Sequence, residues 1–254
     1  MKLSSIIAQE FSETFRRPSR LLNVLRIDRL KRFMKFQRVR LLSHDAWSRQ
    51  TGSLSARQVG SYDEYLQLQR SKLDYLDLGG HEARFRTALR ERLRKLEIVE
   101  SGWRVLCLGA RLGGEVAAFR DMGCFAIGVD LNPGPDNPWV LYGDFHKLEY
   151  PDRCLDAVYS NSLDHCLEPE KVLAEISRLL RPGAYLIIEA EPGVDDPNGI
   201  APDMWATFQW STVDALKTRI EQAGLRFISK GDFEYPRNGT RLLFRAPTQV
   251  LANA

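Results

Sequence analysis

The chain has 254 residues, of which 44% are hydrophobic, and a formal net charge of +3. This length suits one large domain, or a domain of about 150 residues with an extension, and no stretch approaches the roughly 18 apolar residues of a membrane-spanning helix. The four cysteines form no C-x-x-C pair and have no zinc-ligand spacing. We therefore expect reduced thiols, no metal ligands and a cytoplasmic location.

The first 46 residues are strongly basic, whereas the rest of the chain is mildly acidic. Within them, residues 20–42 repeat apolar positions at helical spacing, with arginines and lysines in between. We favour a helix packed on the core with its charged face in water. The pattern also fits an amphipathic helix that contacts an anionic membrane surface, peripherally, or a partner protein. Nucleic-acid binding is disfavoured, because no nucleic-acid module signature is visible.

Two helical patterns precede the first apolar strand. Ser43–Gly60 is polar and is interpreted as a linker, and a helix is predicted over Tyr62–Leu76. Gly79 and Gly80 then interrupt the chain before a second predicted helix over His81–Leu96. We therefore predict a helical, basic N-terminal extension over residues 1–80 and an α/β domain over residues 81–254.

The stretch from Trp103 to Asp130 combines strand, turn and helix signals. An apolar run ends in the glycine-bearing turn 109–114, a helical stretch follows, and a second apolar run ends in Asp130. This order predicts one βαβ unit. Asp130 lies 21 positions after Gly109, close to the roughly 20-residue spacing at which an acid meets a ribose diol. A nucleoside-bearing cofactor is therefore expected at this turn.

Strand and helix patterns continue to alternate after Asp130. Strands are predicted at Val140–Gly143, Leu155–Ser160, Ala184–Glu189, Leu225–Ser229 and Arg241–Phe244, and helices at Pro169–Leu180 and from a cap at Ser211 to Gln222. Between them, residues 192–210 show no periodicity. The alternation predicts an α/β fold, with a mostly parallel sheet and helices on both faces.

This order of parts resembles the class I S-adenosylmethionine-dependent methyltransferases over about two thirds of the chain. The matching pieces are VLCLGARLGG at the first strand, GVDLNP at the second, GDFHKLEYPDRCLDAVYSNSLDHC at the third and fourth, and EKVLAEISRLLRPGAYLIIE at the next helix and fifth strand. The resemblance implies a Rossmann-like, seven-stranded sheet whose last strand is antiparallel. It also implies S-adenosylmethionine as the cofactor.

The resemblance implies roles for residues that follow the strands. The methionine end of the cofactor would be lined by Leu108, Gly109, Ala110, Arg111 and Gly113, and its ribose hydroxyls would meet Asp130. The adenosine would lie beside Leu131 and Asn132, with Asp144 at the adenine amino group and Phe145 beside the ring. The sulfonium would lie near Ser160 and Asn161. Two positions depart from the family pattern. Cys107 replaces its usual acid, and Arg111 replaces its middle glycine. We hypothesise that Arg111 pairs with the carboxylate of the cofactor; the alternatives are that it points to solvent or that the site binds nothing.

Methyl transfer asks the protein mainly to position the nucleophile and to adjust its proton. The candidate bases are His165 and the adjacent Asp164, just after the fourth strand, whereas His146 is interpreted as structural. Residues 192–210 occupy the place of a substrate lid in the family. Their aromatic and acidic side chains suit a sugar or a cationic amine. Alternatively, the aromatic side chains pack on the sheet.

We therefore predict S-adenosylmethionine-dependent methyl transfer to an oxygen or nitrogen of a small molecule or glycan precursor. The alternative from another class is a non-catalytic module of the same fold that docks a partner through its basic arm. A nicotinamide-dependent oxidoreductase is disfavoured, because no G-x-G-x-x-G motif is intact and no catalytic Tyr/Lys pair stands out.

Overall fold

The computed structural model describes residues 54–75, 80–199 and 202–248. The basic helix predicted at residues 20–42 lies outside these residues. The strands are β1 Leu54–Ala56, β2 Arg104–Leu108, β3 Phe125–Asp130, β4 Val140–Tyr142, β5 Leu155–Ser160, β6 Leu180–Ala190, β7 Phe208–Trp210, β8 Arg226–Phe233 and β9 Gly239–Arg245. The helices are α1 Tyr62–Arg70, α2 Lys72–Tyr75, α3 His81–Arg94, α4 Gly114–Arg120, α5 Pro169–Leu179 and α6 Val213–Gln222, with a 3-10 turn at Leu163–His165.

Within the described residues, the main sheet has seven strands in the order β4-β3-β2-β5-β6-β9-β8. The strands β4, β3, β2, β5 and β6 run parallel to one another, and β9 is antiparallel to both β6 and β8. The predicted mostly parallel, seven-stranded α/β sheet is confirmed. The chain order reverses between β2 and β5, so ligands are expected at the carboxyl ends of these central strands.

Each face of the sheet is covered by helices, because the central strands are apolar on both sides. On one face, Phe85 and Leu89 of α3 and Phe119 of α4 pack in one buried cluster. On the other face, Ile176 of α5 and Leu216 of α6 belong to a second cluster. This two-sided burial fixes the strand ends from which the site is built.

Several boundaries differ from the predictions. The predicted linker contains β1, which pairs antiparallel with β7, and the helix predicted over 62–76 is divided at Ser71 into α1 and α2. Thr212, not Ser211, caps α6, because the Thr212 side chain accepts the Ala215 N–H. β6 begins at Leu180, four residues early, since pairing with β5 extends to Leu155.

Among the described residues, none of the helices combines the length and the apolar character needed to cross a membrane. The boundary at residue 80 between the N-terminal extension and the α/β domain stays a prediction.

Candidate functional site

The turn after β2 is packed tightly against the segment that follows β5. Gly109 has a φ of +67°, and a Cβ added there would lie 2.7 Å from the Cβ of Ser162. Below the turn, a Cβ on Gly128 would lie 2.5 Å from the Cβ of Ala110. Glycine is therefore required at both positions, because no side chain fits between the turn and its neighbours.

The Asp130 carboxylate is held in a fixed orientation at the end of β3. Its Oδ2 accepts the Arg111 N–H at 2.9 Å, and its Oδ1 accepts the Asn132 N–H at 2.7 Å. Arg111 itself has a φ of +47°, so the turn uses a conformation that a non-glycine residue rarely adopts. Each carboxylate oxygen keeps a lone pair for a further donor, which suits a pair of vicinal hydroxyls.

Asp144, after β4, is bound by donors from two parts of the chain. Its Oδ1 accepts the His146 N–H at 3.0 Å and lies 2.7 Å from His146 Nδ1, and its Oδ2 accepts the Tyr62 hydroxyl at 2.5 Å. Burial alone would raise the pKa of Asp144, but the hydrogen bonds from His146 and Tyr62 outweigh it and lower the pKa. Asp144 is therefore an ionised acceptor at neutral pH.

His146 links Asp144 to the chain after the 3-10 turn. Its Nε2 accepts the Leu167 N–H at 3.0 Å and the Glu168 N–H at 3.2 Å, which leaves Nδ1 as the protonated nitrogen that donates to Asp144. The side chain is only 1% exposed. Both ring nitrogens therefore have protein partners, in agreement with a structural role.

The remaining predicted cofactor residues lie around this edge of the sheet. Leu131 and Phe145 are buried, as is Leu108 at the end of β2. Ser160 Oγ donates to the Leu108 carbonyl and accepts the Ser162 N–H, and Ser162 Oγ donates to Asn161 Oδ1 at 3.0 Å. The Gly113 N–H closes the turn on the Ala110 carbonyl at 2.7 Å. The structure thus brings the predicted cofactor residues together at the carboxyl ends of β2, β3, β4 and β5.

Asp164 and His165 lie near this edge but do not form a hydrogen-bonded pair. His165 Nε2 is 3.8 Å from Asp164 Oδ2, too far for a hydrogen bond. His165 Nδ1 is buried and has no partner among the described residues. Burial, followed by the charge of Lys72, lowers the pKa of His165 to about 4, and burial raises the pKa of Asp164. His165 is therefore a neutral imidazole at pH 7.

Sequence reasoning missed the contribution of α1 and α2 to the site. Tyr62 reaches Asp144, and Asn132 Nδ2 donates to the Arg70 carbonyl at 2.6 Å. The charge of Lys72 acts on Asp164 and His165. No local pattern marks any of these residues as close to a site more than 60 residues away in the chain.

The aromatic side chains of the predicted lid are buried and are not available to contact a ligand. Trp205, Phe208 and Trp210 are each at most 4% exposed, and the latter two belong to the core beside β6. The second interpretation of this segment, in which its aromatic residues pack on the protein, is the one that the structure supports.

Glu115, at the start of α4, is a buried carboxyl group beside the site. Burial, with the nearby charge of Glu82 as the second cause, raises its pKa to about 8. In the unfolded chain this group ionises near its ordinary pKa of about 4.3. Between these two values the folded state binds more protons than the unfolded state, so the free energy of unfolding decreases as the pH rises.

We expect Glu115→Gln to remove this dependence. The variant and the wild-type protein should be similarly stable near pH 4. As the pH rises toward 8, the free energy of unfolding of the wild type should fall below that of the variant by up to about 1.4 kcal/mol per pH unit. Urea unfolding of both proteins at pH 4.5, 6 and 8 measures the difference. A difference that is constant with pH would contradict the raised pKa.

Comparisons with known proteins agree with this geometry. Residues 106–188 match a family described as a methyltransferase domain, and this range includes the turn, Asp130, Asp144 and β5. No curated protein matches the sequence significantly. Among the described residues, no group of three or more His, Cys, Asp and Glu side chains could hold a metal ion.

Solved structures share the fold at low sequence identity. The 1,6-didemethyltoxoflavin-N1-methyltransferase of Burkholderia thailandensis, with bound 1,6-didemethyltoxoflavin and S-adenosylhomocysteine, has a TM-score of 0.61 and 19% identity, over 79% of this chain and 99% of that chain. A Haloferax volcanii complex of the Trm112 methyltransferase activator with a protein described as a methyltransferase has a TM-score of 0.55 and 20% identity, over 75% of this chain and 100% of that chain. The [4+2]-cyclase SpnF has a TM-score of 0.52 and 18% identity, over 63% of this chain and 80% of that chain.

Proposed function

We propose that this chain, which carries a methyltransferase domain in the class I S-adenosylmethionine-dependent fold, binds S-adenosylmethionine and transfers its methyl group to an oxygen or nitrogen of a small molecule or glycan precursor. When bound, the cofactor supplies an activated methyl group on a sulfonium. The acceptor class is supported by the Burkholderia thailandensis enzyme, which is an N1-methyltransferase with a small-molecule substrate.

The observation that carries the proposal is the Asp130 carboxylate. Two backbone N–H groups fix it, and its free lone pairs match the donor pattern of a ribose diol. The Gly109 turn is held beside Asp130, because its lack of a Cβ lets it pack against Ser162 and its N–H donates to the Val129 carbonyl. The residues present therefore fit a nucleoside cofactor.

The other predicted residues take their roles from their positions around Asp130. Leu131 and Asn132 would contact the adenosine, Asp144 would accept from its amino group and Phe145 would lie against the ring. Leu108, Gly109, Ala110, Arg111 and Gly113 would surround the methionine part, with Ser160 and Asn161 at the reacting end. Asp144 suits its role because it is ionised and held by His146.

His165 is our candidate to accept the acceptor's proton. Its buried Nδ1 has no partner among the described residues, and a neutral imidazole can take a proton. Its low pKa makes it a weak base, so we expect positioning to contribute more to the rate than proton transfer. Asp164, whose pKa is raised by burial, is the second candidate.

Transfer of a tritiated methyl group tests the activity directly. The full chain is incubated with labelled S-adenosylmethionine and panels of small-molecule amines, alcohols and nucleotide sugars, and Asp130→Ala serves as the inactive control. Label transferred to an acceptor by the wild-type protein and not by the variant supports the proposal. Binding of the cofactor without transfer to any acceptor would favour a non-catalytic module.

Arg111→Gly separates the backbone role of this residue from its charge. Glycine removes the strain of a positive φ, about 1 kcal/mol, so the variant should unfold at a higher temperature. If the guanidinium pairs with the cofactor carboxylate, affinity for S-adenosylhomocysteine should fall by about tenfold. Affinity for 5′-methylthioadenosine, which lacks the carboxylate, should not fall, and an equal loss for both ligands would contradict the pairing.

The proposal includes a cytoplasmic setting, supported by the free thiols of Cys107, Cys124, Cys154 and Cys166. Peripheral contact with a membrane or partner protein through residues 20–42 remains part of the proposal. Deletion of residues 1–46 tests it, because the contact should be lost in the shortened protein.

A further inference from the structure

The first residue of α4, Gly114, lies against α3 with no room for a side chain. A Cβ added to it would lie 2.6 Å from Glu82 Oε2, 3.1 Å from the Glu82 carbonyl oxygen and 3.4 Å from Phe85 Cδ1. The Gly114 N–H donates to Glu82 Oε2 at 2.9 Å. A side chain of α3 therefore holds the start of the helix that follows the glycine turn, 32 positions further along the chain.

This hydrogen bond supplies a cap that the turn itself lacks. The first N–H groups of a helix have no acceptor within the helix, and the residue before α4 is Gly113, which has no side chain to accept one. Side-chain oxygens are the acceptors with which helices are commonly capped at this end. The Glu82 carboxylate therefore takes the place of a capping residue, from a different element of the fold.

The turn between β2 and α4 is held at both of its ends. At its start, the N–H groups of Gly109 and Ala110 donate to the Val129 carbonyl at 2.9 and 3.1 Å. Across it, the Gly113 N–H donates to the Ala110 carbonyl at 2.7 Å, so the last residues of the turn are tied to the first. At its end, Glu82 holds the next residue from outside the βαβ unit.

We infer that Glu82 is a positioning residue for the cofactor, because its carboxylate holds the start of α4, and with it the turn 109–113, in the geometry that binds the ligand. This inference rests on the proposed function, in which that turn surrounds the methionine part of S-adenosylmethionine. Glu82 acts through the turn and is assigned no contact with the ligand. α3 thereby contributes to cofactor binding, although it precedes the βαβ unit in the chain.

Calorimetric titration of the full chain with S-adenosylhomocysteine compares three variants, at a temperature at which circular dichroism shows each of them folded. Glu82→Ala removes the acceptor and should lower the affinity by about three- to tenfold. Glu82→Gln keeps an oxygen that can accept the Gly114 N–H, so it should bind like the wild type. Glu91→Ala removes an acid from the same helix, at a side chain that is 54% exposed, and it should also bind normally.

Two results of these titrations would overturn the inference. Unchanged affinity in folded Glu82→Ala would mean that the cap contributes to stability alone. A loss in Glu82→Gln as large as that in Glu82→Ala would mean that accepting the Gly114 N–H is not what Glu82 does for binding.

Hydrogen exchange of the ligand-free proteins tests the positioning itself. In Glu82→Ala, the amides of residues 109–114 should exchange faster by a larger factor than the amides of β5, which report the change in overall stability. An equal increase in both places would overturn the inference. Failure of the wild-type chain to bind S-adenosylhomocysteine would instead remove the proposed function, and selectively faster exchange of residues 109–114 would then still support Glu82 as the residue that holds the turn.

Discussion

Replacing Gly109 by alanine is expected to cause the largest loss of cofactor binding among single-methyl additions at this site. The new Cβ would lie 2.7 Å from Ser162 Cβ, in a turn with a φ of +67°. Backbone strain and overpacking together should lower the free energy of unfolding by about 2–4 kcal/mol. The turn must also shift away from Ser162, so affinity for S-adenosylhomocysteine should fall to near the detection limit.

Gly102→Ala provides the matched control. Gly102 also has a positive φ, +87°, but a Cβ there meets no heavy atom within 4 Å. This variant should lose only the strain term, about 1–2 kcal/mol, and should bind the ligand normally. Urea unfolding and calorimetry of both variants separate strain from crowding. Equal stability losses, with binding retained in Gly109→Ala, would show that the close contact with Ser162 does not constrain the turn.

Replacing Glu189 by alanine is expected to lower the free energy of unfolding by about 3–5 kcal/mol. The Glu189 side chain is 2% exposed and forms a two-bond pair with Arg92, at 2.6 and 2.8 Å, while Tyr159 donates to it at 3.0 Å. Removing the carboxylate leaves Arg92, whose side chain is 12% exposed, without its counter-charge. Urea unfolding measures the loss.

Two further variants check this cause. Arg86→Ala breaks a pair in which the arginine is 48% exposed, and it should cost less than about 1 kcal/mol. The double replacement Arg92→Met with Glu189→Leu should recover part of the lost stability, because Arg92 is removed together with its partner, whereas Arg241 and the Tyr159 hydroxyl still lose Glu189. A double variant as unstable as Glu189→Ala would indicate that packing, not the unpaired charge, dominates.

The βαβ unit could be predicted from sequence because its signals are local. An apolar run, a glycine turn and a terminal acid predict the order strand, turn, helix and strand of β2, α4 and β3, and burial on both faces favours a parallel sheet. The predicted boundaries of strands differ from the structure where pairing with a neighbouring strand decides them. β6 extends back to Leu180 because β5 is available to pair with it, and β1 forms within an apparent linker because β7 lies beside it.

The candidate site was predictable for residues that end strands and not for those that come from elsewhere. Asp130 and Asp144 stand at strand ends, where the fold brings ligand-binding residues together. Tyr62 meets Asp144 across 82 positions, and periodicity describes only which face of its own helix a residue occupies. The same limit applies to Trp205 and Trp210, because an irregular segment gives no sign of whether its aromatic residues face solvent or the core.

The most direct test of this account is calorimetric titration of the full-length protein with S-adenosylmethionine and S-adenosylhomocysteine. Asp130→Ala removes the carboxylate at the proposed ribose site, and Asp214→Ala, at a side chain that is 67% exposed, is the control for removing an acid elsewhere. We predict that the wild type and Asp214→Ala bind both ligands with similar affinity and that Asp130→Ala does not bind. A folded wild-type protein that binds neither ligand, or an Asp130→Ala variant that binds as well as the wild type, would contradict the account.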